Sequence, residues 1–150
     1  MRAAESGAGG ARAERDARED GVDTRPLALV VAPEPVLPRA FARVCERVGY
    51  RVRAAWADPA AFARDPSAWA EVPSLLMLDT GRDHAPAARL AALAVRRWPG
   101  VRVVLTGGSG PEPEARAVLA QVPHRFLLKP FGGDELRQAL AADGGPERRM

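Results

Sequence analysis

Ser74-Leu75-Leu76-Met77-Leu78-Asp79 runs four large apolar residues into a carboxylate. A helix with one wet face would interrupt such a run, whereas a strand covered on both faces of a parallel sheet accommodates it. Pro73 before the run and Gly81 after it bound the segment at strand length. In open α/β sheets, ligands and chemistry gather outside the carboxyl ends of the strands, which is where Asp79 falls. Taken alone, Asp79 reads equally well as a polar strand end or a cap. The other strand ends decide.

Working outward, Leu27-Ala28-Leu29-Val30-Val31 is a first strand, broken by Ala32-Pro33-Glu34-Pro35. Val36, Leu37, Ala40, Phe41, Val44, Cys45 and Val48 trace a helical stripe, with Pro38 tolerated in its first turn and Gly49 closing it. Tyr50 to Ala55 is a short second strand whose flanking arginines suit a sheet edge. Asp58-Pro59 and Asp65-Pro66 each read as an N-cap followed by proline, so two short helical pieces are expected there.

Beyond Asp79, a loop from Thr80 to Ala85 leads to a helix from about Pro86 to Trp98, with Leu90, Leu93, Ala94 and Trp98 inward. Val101 to Leu105 is the fourth strand, ending in Thr106-Gly107-Gly108-Ser109-Gly110. A helix over roughly Glu112 to Gln121 carries Ala115, Val118 and Leu119. Phe126-Leu127-Leu128 is the fifth strand, ending in Lys129-Pro130-Phe131, and a last helix runs to about Ala142 with Leu136, Ala139 and Leu140 inward. Strand and helix alternating five times predict a doubly wound, five-stranded parallel sheet with helices on both faces.

Composition bounds the function. The chain has 150 residues, enough for one domain with a real core, expected over 26–142. Residues up to Arg25 are Ala, Gly, Arg and Asp/Glu, with too little apolar surface to offset ordering entropy, so a disordered charged tail is expected; 143–150 reads as a polar tail. The single cysteine, Cys45, rules out an intrachain disulfide framework and fits a reducing cytosol, so the reading places the protein in the cytoplasm. No apolar run approaches the length of a membrane span, and no signal core opens the chain. The net charge of +3 is spread rather than clustered, with no Lys/Arg run interleaved with aromatics, so nucleic acid is not expected as a partner.

Three strand ends bring Asp79, Thr106 and Lys129 to one edge. A carboxylate, a hydroxyl and an ammonium together can accept a phosphoryl group, bond one of its oxygens and neutralise its charge. Each also has a plain explanation, as a β-branched strand end or a solvated charge. Lys129 is, however, the only lysine among 22 basic residues. A compact ammonium reaching a buried carboxylate would explain that exception.

The succession Leu-Val-Val, Leu-Leu-Met-Leu-Asp, Val-Val-Leu-Thr-Gly and Phe-Leu-Leu-Lys-Pro-Phe resembles the receiver domain of two-component response regulators, over about Leu27 to Ala142. The resemblance implies a flavodoxin-like strand order 2-1-3-4-5 and a cis Lys129–Pro130 bond. It makes Asp79 the phosphoacceptor, Thr106 the switch hydroxyl, Lys129 the phosphoryl-pairing lysine and Phe126 the switch aromatic. It also makes Asp79 and the Gly81 carbonyl ligands of Mg²⁺. Its partners would be a sensor histidine kinase or another signalling protein, with a homodimer through the fourth and fifth helices.

One departure stands out. Where receivers carry two acidic residues after the first strand, this chain has Ala32 and Pro33, neither of which offers a side-chain oxygen. Glu34 follows, either as a longer-armed metal ligand or as a first-turn acid favoured by the helix dipole. The expectation is a stand-alone, non-enzymatic, receiver-like signalling protein, either phosphorylated at Asp79 or a pseudo-receiver acting by protein–protein interaction. A nucleotide- or flavin-binding protein using Gly107-Gly108-Ser109-Gly110 as a phosphate cradle is the alternative. A hydrolase would have to use His84 and Ser109, with no nucleophile elbow; His84 reads instead as a loop residue near a helix start.

Overall fold

The computed structural model describes residues 23–34, 36–56 and 58–141. The polar tail expected at 143–150 lies outside them, as does most of the charged tail expected up to Arg25. Asp23 to Arg25 are described and already belong to the fold, since Arg51 Nε donates to the Arg25 carbonyl at 3.1 Å.

Five strands, β1 (Leu27–Val31), β2 (Arg51–Trp56), β3 (Leu75–Asp79), β4 (Arg102–Gly107) and β5 (Arg125–Leu128), form one parallel sheet. Their order is β2-β1-β3-β4-β5, as expected. The connecting helices are α1 (Leu37–Val48), α2 (Pro59–Arg64), α3 (His84–Arg97), α4 (Pro113–Leu119) and α5 (Gly133–Leu140), with a 3₁₀ turn at Pro66–Trp69.

The unbroken apolar run of β3 divides by parity. Leu76 and Leu78 join Leu29, Val31, Val103 and Leu105 in a core completed by Phe62, Trp98 and the alanines of α3. Leu75 and Met77 join Ala28, Val30 and Val104 in a second core closed by Phe41 and Cys45 of α1 and Leu136 and Leu140 of α5. Both faces of a strand are buried only when helices cover both sides of the sheet.

Local chemistry sets the helix ends. Asp58 accepts from Ala61 N–H (2.7 Å) and Asp65 from Ser67 N–H (3.0 Å), capping the two short pieces. Gly49 closes α1 with φ +118°, a conformation that side chains disfavour.

Three expectations about inward faces are corrected. Leu93 is exposed, because α3 packs through His84, Ala87, Ala88, Ala91 and Ala94, and Leu93 lies about 200° round the helix from Ala91. Val36 is exposed because it precedes the first helical turn, and Ala40 is exposed beside the buried Phe41 and Pro38. Among the described residues, no helix is long and apolar enough to cross a membrane.

Candidate functional site

Register brings the site together. Asp79 closes β3 directly opposite Thr106 of β4, so their side chains share one face of neighbouring strands. Lys129 leaves the end of β5 with its N–H donating to the Gly107 carbonyl at 2.7 Å. The Lys129–Pro130 peptide is cis.

The Asp79 carboxylate is fully buried and bonded at both oxygens. Thr106 Oγ1 donates to Oδ1 at 2.6 Å, and Lys129 Nζ lies 2.8 Å from the same oxygen. Gly81 N–H donates to Oδ2 at 3.1 Å. Lys129 keeps about a third of its side chain exposed (31%), so its stem lies at the surface while its ammonium holds the buried anion. A cavity of about 680 Å³ opens beside this pair, lined by Pro33, Glu34, Thr80, Gly81 and Lys129 among others.

The β1 side of the site is apolar. Ala32 is fully buried with Val30 and Phe41. Pro33 leans on Gly81 so closely that a Cβ there would sit 2.8 Å from Pro33 Cγ. Gly81 also has φ +65°, so this corner needs glycine both for space and for its backbone. Asp79 is the only buried carboxylate among the described residues, and Glu34 is exposed on the cavity rim. Among the described residues no three Asp, Glu, His or Cys gather as metal ligands. Mg²⁺ demands near-octahedral oxygen coordination, usually with carboxylates supplying the charge. This donor set does not fit it: one oxygen of Asp79 is already taken by an ammonium and a hydroxyl.

The glycines after β4 divide in role. A Cβ on Gly107 would lie 2.5 Å from Thr80 Oγ1, 3.1 Å from Phe126 Cζ and 3.3 Å from His84 Nε2, so Gly107 is a packing position rather than an open cradle. Gly108 and Gly110 face open space.

His84 is the residue the sequence reading missed. Far from being a loop residue, it is the first residue of α3, 2% exposed, with its ring stacked on Phe126 at 6.0 Å between centroids. Its Nε2 lies 2.9 Å from the Ser109 carbonyl oxygen, and its Nδ1 2.9 Å from Glu112 Oε1, at an angle poor for a hydrogen bond. The signal was available. Asp83 accepts from Ala85 N–H and caps the helix, which puts His84 in phase with Ala87, Ala88 and Ala91. The histidine touches the backbone of Ser109, so the geometry supplies no serine–histidine pair for hydrolysis.

No family model matches the sequence, and no curated protein matches it either. Solved structures do. A CheY-like response regulator receiver domain protein from Methanospirillum hungatei superposes with a TM-score of 0.66 at 16% identity, over 85% of this chain and 100% of that one. A response regulator receiver protein from Sinorhizobium medicae gives 0.64 at 19%, over 79% and 93%. A CheY-like response regulator from Mesorhizobium loti gives 0.61 at 22%, over 78% and 97%. The chain therefore has the receiver-domain fold, along nearly the whole length of these structures.

Proposed function

We propose that this chain is a receiver-like signalling protein in which Asp79 holds the phosphoacceptor position, and that it works chiefly as a pseudo-receiver through protein–protein contacts. The observation that carries the reading is the closed Asp79–Lys129–Thr106 arrangement beside an apolar β1 corner. In phosphoryl transfer to a carboxylate, a bound cation usually offsets the charge gathering on the phosphoryl oxygens. Here Lys129 is the cation in contact with Asp79, and Ala32 and Pro33 add no oxygen to recruit another. Partners would be a sensor kinase or another signalling protein, meeting α4, β5 and α5, the elements next to Thr106 and Phe126. The same side would serve a homodimer.

The test is to offer the protein a small phosphodonor with and without Mg²⁺, beside Asp79→Asn, and to read intact mass. The reading expects no Mg²⁺-dependent gain of a phosphoryl group, and no saturable millimolar Mg²⁺ site in the amide shifts around Asp79. A phosphoryl adduct that needs both Mg²⁺ and Asp79 would restore a phosphorylatable receiver. If Glu34→Gln abolished the Mg²⁺ response, Glu34 would be its ligand.

A further inference from the structure

We infer that the outward face of α3 is a docking surface for an acidic helix of a partner protein, one that carries two carboxylates two helical turns apart with an apolar side chain between them. The surface is separate from the α4, β5 and α5 side proposed for signalling, and the inference does not rest on that reading.

The two faces of α3 differ in kind. Its inner alanines, His84 and Leu90 are buried. At about 100° per residue, Arg89, Leu93, Arg96 and Arg97 fall within one arc of about 100° on the other side. All four are exposed, Leu93 at 43%. Among the described residues, Leu93 is the only exposed large hydrophobic residue inside a helix. A single exposed leucine needs no explanation, but this one stands among arginines with a tryptophan close by. Arg97 donates to the Trp69 carbonyl at 3.5 Å, and Trp69, stacked on Trp98, is only partly buried.

The charge on this face is not balanced from within. α3 contains three arginines and no Asp or Glu. Arg89 reaches Glu114 of α4 at 3.8 Å with 61% and 72% of the two side chains exposed, a contact that adds little and yields to competition. Arg96 and Arg97 make no ion pair among the described residues, whereas Arg51 and Arg53 share Glu71 and Arg25 holds Asp23. The helix dipole favours a cation in the last turn, which accounts for Arg96 and Arg97 singly. Arg89 and Leu93 lie in middle turns, where that field has faded.

Spacing picks out the occupant. Arg89 and Arg96 are seven residues apart, about 10 Å along the axis, with Leu93 between them. A helix presents carboxylates at i and i+7 on one face at that spacing, whereas same-face residues of an extended segment recur at about 7 and 14 Å. A nucleic acid would take up the arginines and leave Leu93 facing phosphates. A lipid surface favours a helix whose broad apolar face is free, and that of α3 is already in the core. An acidic helix meets the whole arrangement, with apolar contact at the centre and charge pairs flanking it. The C-terminal end of α3 leads into Arg102, which pairs with Leu75 at the edge of the sheet opposite Asp79 and Thr106. The contact therefore acts as a tether that holds whatever the state of Asp79.

The test is nuclear magnetic resonance of the ¹⁵N-labelled full chain, titrated at low salt with a synthetic helical peptide built on Glu-Ala-Ala-Ala-Leu-Ala-Ala-Glu. The expected result is saturable binding, with shifts confined to the α3 amides from Arg89 to Arg97 and the Trp69 indole. Arg89→Glu combined with Arg96→Glu should weaken it about tenfold, and Leu93→Gln severalfold. Arg39→Glu combined with Arg43→Glu removes the same charge from exposed positions of α1, on the other side of the sheet, and should leave the affinity within about twofold. All these positions are exposed, and the shift dispersion of each variant verifies its fold. Failure of the peptide to saturate, equal weakening in the α1 variant, or equal binding of a peptide with glutamine for its leucine would each overturn the inference. So would tighter binding to phosphatidylglycerol vesicles or to duplex DNA than to the peptide. Phosphorylation enters none of these readouts, so failure here is separable from failure of the receiver reading.

Discussion

Replacing Lys129 with methionine should cost more stability than replacing Asp79 with asparagine, although both break the same ion pair. Lys129→Met leaves a carboxylate whose side chain is fully buried, still bonded to the Thr106 hydroxyl and the Gly81 N–H but without its counter-charge. Stranding one member of a buried pair costs about 3–5 kcal/mol. The lysine is 31% exposed and the adjoining cavity admits water, so the cost falls to the bottom of that range or just below it, about 2–3 kcal/mol. Asp79→Asn leaves a lysine that can swing into solvent and an amide oxygen that still accepts from Thr106. Its cost should stay near 1 kcal/mol, the net worth of one hydrogen bond. The double variant should then be more stable than the sum of the two losses predicts, by about 1 kcal/mol or more. Urea unfolding followed by tryptophan fluorescence reads this directly, since Trp69 and Trp98 stack at 4.7 Å in the core. With urea slopes of about 1–3 kcal/mol per molar, the Lys129→Met midpoint should fall by about 1–2 M. A Lys129→Met protein within about 0.5 kcal/mol of the parent, or an Asp79→Asn loss exceeding the Lys129→Met loss, would refute the reasoning.

Other outcomes follow from single contacts. Gly107→Ala should destabilise by about 1–3 kcal/mol and shift the Phe126 ring resonances, because its Cβ meets Thr80 Oγ1, whereas Gly108→Ala, with open space around it, should stay within about 0.5 kcal/mol. Arg102→Met should cost about 1.5–3 kcal/mol and speed amide exchange in the last turn of α5, because the guanidinium donates to the carbonyls of Ala139 (2.9 Å) and Leu140 (3.4 Å) and to that of Ala141. Burial pushes the Cys45 thiol up to about 12, so the unfolded thiol ionises near 9.0 while the folded one keeps its proton. Stability should therefore fall as pH rises from about 9 towards 12, and Cys45→Ala should lose that part of the fall; the folded thiol should resist alkylation until urea is added.

The sheet was legible because its evidence is local. Four apolar residues ending in Asp79, and repeated strand–helix alternation, need no knowledge of distant contacts, and the strand-end rule then gathered Asp79, Thr106 and Lys129. Leu93 misled because hydrophobicity alone ranks leucine over alanine. The tight approach of α3 to the sheet selects small residues, and the alanine stripe at 87, 88, 91 and 94 carried the true phase. Pro86 misled in the same way, since proline fits any position of a first turn and Asp83 was the actual cap. The alanine phase could have placed His84 inside, but the contacts of its ring were hidden for a different reason. Its partners come from other elements: the β4–α4 segment brings Ser109 and Glu112 to the ring, and β5 brings Phe126.

Two polar clusters meet at this edge of the sheet. At Asp79 the anion is buried, and Lys129 balances it through an ammonium carried in from the surface. At His84 a buried ring meets the Ser109 carbonyl through Nε2, with the half-exposed Glu112 carboxylate 2.9 Å from Nδ1. Gly107 lies between them: its carbonyl receives the Lys129 N–H, while its missing Cβ leaves room for Thr80, His84 and Phe126. Ala32 and Pro33 leave the β1 side of the first cluster without side-chain oxygens, since they pack against Phe41 and Gly81, so the cation in contact with Asp79 is Lys129.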